Sequence, residues 1–192
     1  AVRVHIKPFV RWIWLGALSL LGPLLHIGMD ATNNYGVHPF WPFDNRWYYG
    51  DSVFIIEPLL WAVAIPPLIL LAKRRVSRVL LWLALFGVIA AAWLHPMVRW
   101  ISAVSVTVVA GACFALLWRA KDHTRIIVAG LGWALVTAVF LAASARAQNV
   151  ARSVLARELP DSQTHDVILT PLPSDPICWQ LIAVQTEGDY YA

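Results

Sequence analysis

The chain has 192 residues, of which 59% are hydrophobic and 14% are charged, and its mean hydropathy is +0.64. Soluble domains are about half apolar and about a quarter charged, so this composition excludes a soluble globular protein and predicts an integral membrane protein. The net charge of +4 does not indicate nucleic-acid binding, because the basic residues lie in short clusters between apolar runs and no nucleic-acid-binding module accompanies them.

Five apolar segments are long enough to cross a bilayer, which requires about 20 residues. They are residues 9–29, 53–72, 79–95, 98–118 and 126–145. Pro23 in the first segment, and Pro58, Pro66 and Pro67 in the second, predict that these two helices are bent. The predicted fold class is an all-α membrane protein with about five transmembrane helices and a small α/β extracytoplasmic tail.

The tail begins as a continuation of the fifth segment. Residues 146–158 are predicted to be helical, with one apolar stripe, and Pro160 ends the helix. Residues 166–170 and 179–185 are β-branched or aromatic and flank a turn-rich P-L-P-S-D-P run, so they predict a small sheet that closes over the outer face. We therefore divide the chain into a transmembrane domain, residues 1–145, with an outward-facing polar loop at 30–52, and an extracytoplasmic domain, residues 146–192.

The basic residues predict the orientation in the membrane. They cluster before the first segment, between the second and third, and between the fourth and fifth. These clusters are Arg3, Lys7 and Arg11; Lys73, Arg74, Arg75 and Arg78; and Arg119, Lys121 and Arg125. The loops on the opposite side contain only Arg46 and Arg99 as basic residues. The positive-inside rule therefore predicts a cytoplasmic N-terminus, with the loop between His26 and Glu57 and the C-terminal tail on the opposite, extracytoplasmic side.

Two residues at the end of the first apolar segment are candidate metal ligands. His26 and Asp30 are four residues apart, which places an imidazole and a carboxylate on one helix face. Such a pair suits a divalent ion, either zinc or, if oxygen ligands dominate, manganese. A buried histidine bonded to a neighbouring acid explains the same spacing without a metal.

Two further acids, Asp51 and Glu57, come before or within the second apolar segment. Asp51 precedes Ser52 and is a natural N-cap for a helix that starts there. Glu57 would then lie one to two turns inside that helix, either as a neutral hydrogen-bonded carboxyl or as a ligand or general base. The aromatic residues between these sites fit an interfacial belt, and they are Trp41, Trp47, Tyr48 and Tyr49.

The segment from His26 to Pro58 resembles the YdjM-like family of membrane-bound metal-dependent hydrolases. Family members show a helical H-x-x-x-D, an aromatic-glycine step, a W-P-F loop and a D-S-x-F-I-I-D-P element. Here these are His26 and Asp30, residues 35–36, residues 41–43, and residues 51–58. The C-terminal run T-P-L-P-S-D-P-I-C-W is similar to the family's proline-rich turn and aromatic strand.

The chain departs from the family pattern in two ways. Glu57 stands where the family usually has aspartate, and no segment matches the family's upstream H-R-G-x-T-H-S motif. In the family that motif lies one span earlier and is thought to supply further ligands. We therefore expect either residues before Ala1 or a homologue that has lost half of its site.

The resemblance implies a hydrolase of the bacterial inner membrane that acts on phosphoesters at the outer face. His26 and Asp30 would hold the metal, while Glu57 or Asp51 would bind a second ion or accept the proton. The alternative is a non-catalytic transmembrane subunit or assembly factor of a larger membrane complex, with a degenerate hydrolase-like site. The expected partners are membrane lipids and, in the alternative, other membrane-protein subunits, but not nucleic acid.

Overall fold

The described part of the chain folds into five helices followed by a small antiparallel sheet. The computed structural model describes residues 8–187 and 190–191. The helices are α1 (Pro8–Asp30), α2 (Pro58–Leu71), α3 (Arg75–Leu94), α4 (Trp100–Leu117) and α5 (Asp122–Glu158), and the strands are β1 (Gln163–Leu172), β2 (Asp175–Glu187) and β3 (Tyr190–Tyr191). This confirms the predicted class, a helical membrane protein with a small α/β tail.

Helix α2 is shorter than the segment predicted from hydropathy. Helices α1, α3, α4 and α5 are long and apolar enough to span a membrane, whereas α2 has 14 residues. The prediction that this helix starts at Val53 is wrong, because residues 53–57 are not helical and the first helical residue is Pro58. Proline suits that position, since its fixed φ is helical and its missing N–H has no partner there. The helix continues through Pro66 and Pro67.

Helix α2 lies at the centre of the bundle and packs against α3, α4 and α5. Its inner face buries Ala62, Ile65 and Ile69 against apolar residues of α3 and α4. On the α5 side the approach is close, because a Cβ at Gly132 would lie 2.5 Å from a methyl carbon of Val63. The start of α2 is therefore held by packing on several sides.

Helix α1 has a different environment from α2. Its residues from Trp12 to Gly28 are exposed, apart from the half-buried Ala17. The apolar part of this helix, up to Leu25, therefore has a surface suited to the hydrocarbon of a bilayer rather than to water. At its C-terminal end, Met29 and Asp30 are partly covered by the rest of the protein.

The loop after α1 folds back on itself. The N–H groups of Ser52 and Val53 donate to the Thr32 carbonyl at 2.9 and 3.0 Å. The N–H groups of Gly50 and Asp51 donate to the Asn33 carbonyl at 3.1 and 3.3 Å. Glycine is required at position 50, because a Cβ there would lie 2.2 Å from the backbone oxygen of Ala31. These bonds attach the start of the second apolar segment to the end of α1.

Helix α5 and the hairpin form the tail. The helix has 37 residues and is about 55 Å long, so it extends well beyond the about 30 Å of a hydrocarbon core. It passes without a break through the boundary that we drew between residues 145 and 146. Strands β1 and β2 pair antiparallel, are longer than predicted, and both contact α5. Ser174 in the turn between them has a positive φ of 57°.

Candidate functional site

Glu57 joins helix α2 to the hairpin. Its side chain is 2% exposed. Oε1 accepts hydrogen bonds from the Leu59 N–H and the Ser174 hydroxyl, both at 3.0 Å, and Oε2 accepts one from the Ser174 N–H at 3.1 Å. Glu57 is therefore the N-cap of α2, which corrects two predictions: Asp51 is not the N-cap, and Glu57 does not lie inside the helix.

The environment of Glu57 makes it a poor general base in this conformation. Burial raises the pKa of its carboxyl, and the hydrogen bonds from Leu59 and Ser174 only partly offset that effect. Oε1 accepts two hydrogen bonds and Oε2 accepts one, and the side chain is almost fully buried, so a substrate or water has little access to the carboxyl in this conformation. The contacts assign Glu57 a positioning role, in which it holds the hairpin against the start of α2.

Asp51 is buried and strained, and one of its oxygens lacks a partner. It is 7% exposed, has a positive φ of 44°, and its carbonyl accepts a bond from the Ser144 hydroxyl at 2.8 Å. Burial raises the pKa of its carboxyl, the Leu169 N–H lowers it, and the nearby Asp166 raises it. Within the described residues Oδ1 is buried and has no hydrogen-bond partner. Such an atom is expected to meet a proton, a water or an ion.

His26 and Asp30 meet in the last turn of α1. His26 Nε2 lies 3.4 Å from Asp30 Oδ2, and the two side chains are 78% and 40% exposed. The explanation by a buried histidine therefore does not hold. The i, i+4 spacing brings the two groups together as expected, and both are accessible to a ligand.

The four predicted site residues do not form one cluster. In residues 8–187 and 190–191, no group of three or more His, Cys, Asp or Glu side chains is placed to hold a metal ion. The backbone of Asn33 connects Asp30 to Asp51. The Asn33 N–H donates to the Asp30 carbonyl at 3.2 Å, and the Asn33 carbonyl accepts a hydrogen bond from the Asp51 N–H. His26, Asp30 and Asp51 thus belong to the same end of the molecule but do not form one coordination sphere.

His26 and Asp30 would supply two protein ligands to a metal ion. Catalytic zinc usually has three protein ligands, and no third is placed beside this pair among the described residues. Imidazole suits zinc, whereas carboxylate and water ligands also suit manganese. The binding of either ion at this pair therefore stays a prediction.

The tail supplies partners to this region that the sequence did not predict. Ser174 bonds Glu57, and the Asn34 amide donates to the Thr170 hydroxyl at 2.7 Å. Arg99, at the start of α4, pairs with the buried Asp175 at 3.2 Å. The sequence P-S-D-P predicted a turn, and Glu57-Pro58 is typical of a helix start. Nothing local in the sequence showed that these two elements touch.

The aromatic residues of the loop stack on one another. The rings of His38 and Trp47 are 5.0 Å apart, and those of Trp47 and Tyr49 are 6.3 Å apart. At the tip of the loop Trp41 and Phe43 are exposed. Exposed aromatic groups suit the headgroup region of a bilayer, so an interfacial position for this loop stays a prediction.

Comparison with known proteins identifies one relationship. A family model described as YdjM inner membrane protein matches residues 1–101, which is just over half of the chain and includes α1, the loop, α2 and α3. No curated protein and no solved structure matches the chain.

Proposed function

The chain belongs to the YdjM inner membrane protein family, and from this premise we propose that it is a metal-dependent hydrolase acting on phosphoesters at the outer face of the membrane. The observation that supports this proposal is the His26–Asp30 pair, with Nε2 and Oδ2 3.4 Å apart at the accessible end of α1. The proposed residues lie where a membrane-embedded helix meets a polar loop, a position from which both lipid headgroups and water can be reached.

A divalent ion held by His26 and Asp30 would lower the pKa of bound water and polarise a phosphoester. The two side chains provide one neutral and one anionic donor and leave positions for water and phosphate oxygens. Asp51 is the better candidate for a proton acceptor, because its Oδ1 has no hydrogen-bond partner among the described residues.

The contacts at the opposite end of the bundle support the proposed orientation. Arg125 donates to the carbonyls of Leu70, Leu117 and Trp118 at 3.0–3.2 Å, so the ends of α2 and α4 and the start of α5 share one side. The basic clusters at 73–78 and 119–125 lie on that side. Glu57 and Arg99, which start α2 and α4, lie at the other ends of these helices. If the basic side is cytoplasmic, as the positive-inside rule predicts, the candidate site would be periplasmic.

The metal content of the purified full-length protein tests this proposal. We expect a bound divalent ion in the wild type, and at least a tenfold weaker affinity in His26→Ala, because one of two protein ligands is lost. His123→Ala is the matched control, since His123 begins α5 at the opposite end and should leave the affinity unchanged. Equal metal binding in wild type and His26→Ala, or none in either, would refute the assignment.

A second candidate function is that of a non-catalytic membrane subunit or assembly factor. Two observations favour it: both oxygens of Glu57 are already bonded within the protein, and the described residues contain no group of three metal ligands. In this case the protein should co-purify with other membrane proteins at a fixed stoichiometry. A solitary protein with metal-dependent hydrolase activity would contradict it.

A further inference from the structure

A groove of about 840 Å³ lies between α5 and the hairpin. Its α5 wall runs from Val139 to Val154, about 22 Å along the helix, and its other wall includes Leu169, Ile177 and Leu181. The volume is within the range of small-molecule binding sites, about 300–1,000 Å³. The groove is separate from the His26–Asp30 pair, although Leu169 also contacts Asp51.

The groove is mostly apolar. Among the described residues that line it, Arg146 is the one charged residue. Its side chain is exposed, and it has no hydrogen bond or ion pair with any residue in the described part of the chain. Arg152 and Arg157 on the same helix do not line the groove. A ligand that fills this groove therefore needs a long apolar part and favours an anionic group near Arg146.

The groove leads out of the membrane-spanning part of α5. Val139 belongs to the apolar half of the helix, whereas Val150 and Val154 lie beyond Arg146 in the half that extends past the span. Several apolar side chains beyond the span are exposed, with Ile177 at 84% and Val150 at 54%. Leaving such surface in water is unfavourable. The natural occupant is one that can enter from the adjacent hydrocarbon.

We propose that this groove binds one acyl chain of an anionic phospholipid from the surrounding membrane, with the lipid phosphate paired with Arg146. A phospholipid supplies both features that the groove requires, a long apolar chain and a negative charge at one end of it. Guanidinium groups also pair well with phosphate oxygens. This inference does not depend on metal binding or on hydrolysis.

Native mass spectrometry of the delipidated full-length protein tests the proposal, with phosphatidylglycerol as the anionic lipid and phosphatidylcholine as the neutral one. We expect phosphatidylglycerol to bind more tightly. Ala147→Trp fills the groove and should weaken binding at least tenfold. Arg146→Gln leaves the groove open and should weaken phosphatidylglycerol binding about two- to fivefold, as expected for a partly exposed ion pair.

Two substitutions on the same helix serve as matched controls. Ala145→Trp and Arg152→Gln change residues outside the groove lining and should bind both lipids like the wild type. The proposal is wrong if the groove and control variants behave alike, or if the two lipids bind equally well and Arg146→Gln has no effect. A dimer that Ala147→Trp dissociates would show instead that a second copy of the chain covers the groove.

Discussion

Replacing Glu57 by alanine is expected to lower the free energy of unfolding by about 2–4 kcal/mol. The substitution removes the acceptor of three donors, the Leu59 N–H and the N–H and hydroxyl of Ser174, in a region that water does not reach. Each buried donor left without a partner costs about 1–3 kcal/mol, and part of this cost is recovered by local rearrangement. The same change removes the N-cap of α2 and the contact that holds the hairpin.

Thermal or denaturant unfolding of the protein in detergent measures this effect. Glu158→Ala is the control, because Glu158 is an exposed acid at the end of α5 and should change the stability by less than about 0.5 kcal/mol. The stability of Glu57→Gln is expected to lie between those of Glu57→Ala and Glu158→Ala. The glutamine amide keeps one acceptor oxygen, but its N–H₂ group faces the Ser174 donors. Equal stability of Glu57→Ala and Glu158→Ala would show that the contacts of Glu57 do not stabilise the fold.

Glu57 is also expected to make the stability of the fold depend on pH. Burial raises the pKa of Glu57 in the folded state above its ordinary value of 4.5, so the folded chain retains a proton that the unfolded chain has lost. The resulting stabilisation is fully present below the unfolded pKa and is lost as the pH rises through the folded pKa. For one proton, the free energy of unfolding changes by at most about 1.4 kcal/mol per pH unit. Glu57→Gln should flatten this slope across that interval.

Gly50→Ala is expected to destabilise the protein by about 2–3 kcal/mol. A Cβ at this position would lie 2.2 Å from the Ala31 oxygen and 2.6 Å from the Thr32 Cα, so backbone, and not a flexible side chain, would have to move. The movement would separate residues 50–53 from the Thr32 and Asn33 carbonyls to which they donate. Asp51 would then no longer be held in a fixed position relative to the end of α1.

Gly87→Ala provides the matched comparison for this substitution. Gly87 is in the middle of α3, and no atom lies within 4 Å of the position of an added Cβ. Alanine favours helix over glycine, so this variant should be unchanged or more stable by up to about 1 kcal/mol. A Gly50→Ala protein as stable as Gly87→Ala would contradict the close packing of the loop against α1.

The sequence predicted the features that depend on local spacing or on average hydropathy. The five apolar helices, the helical continuation after residue 145 and the hairpin all follow from patterns within short windows. The His26–Asp30 contact follows from helix geometry alone, because residues four apart share a face. None of these predictions required knowledge of which distant segments touch.

The start of α2 could not be found from hydropathy. Residues 53–56 are Val, Phe, Ile and Ile, and an apolar run of this kind continues smoothly into the helix. The backbone bonds from Ser52 and Val53 to Thr32 hold this stretch in a non-helical conformation, and the helix then begins at Pro58. The Glu-Pro pair was the available signal, since an acid at the N-cap and proline at the first helical position are a favourable combination.

The function of Glu57 could not be read from the sequence for a different reason. Its partner Ser174 is 117 residues away in the chain, and the two come together through tertiary packing, including that of the hairpin on α5. An acid in an apolar run therefore looked like a reactive group, whereas its contacts are those of a structural link. The unpartnered oxygen of Asp51 could not be predicted either, because the surroundings of this residue include distant segments at Ser144 and Leu169.

Hydrolysis of a phosphodiester by the purified full-length protein, measured with and without added divalent ion, tests the central claim most directly. The proposed site predicts activity that requires the ion, is abolished by a chelator, and falls at least a hundredfold in both His26→Ala and Asp30→Asn while His123→Ala remains active. Activity that survives in His26→Ala and Asp30→Asn, or no activity with any ion in the intact protein, would contradict it.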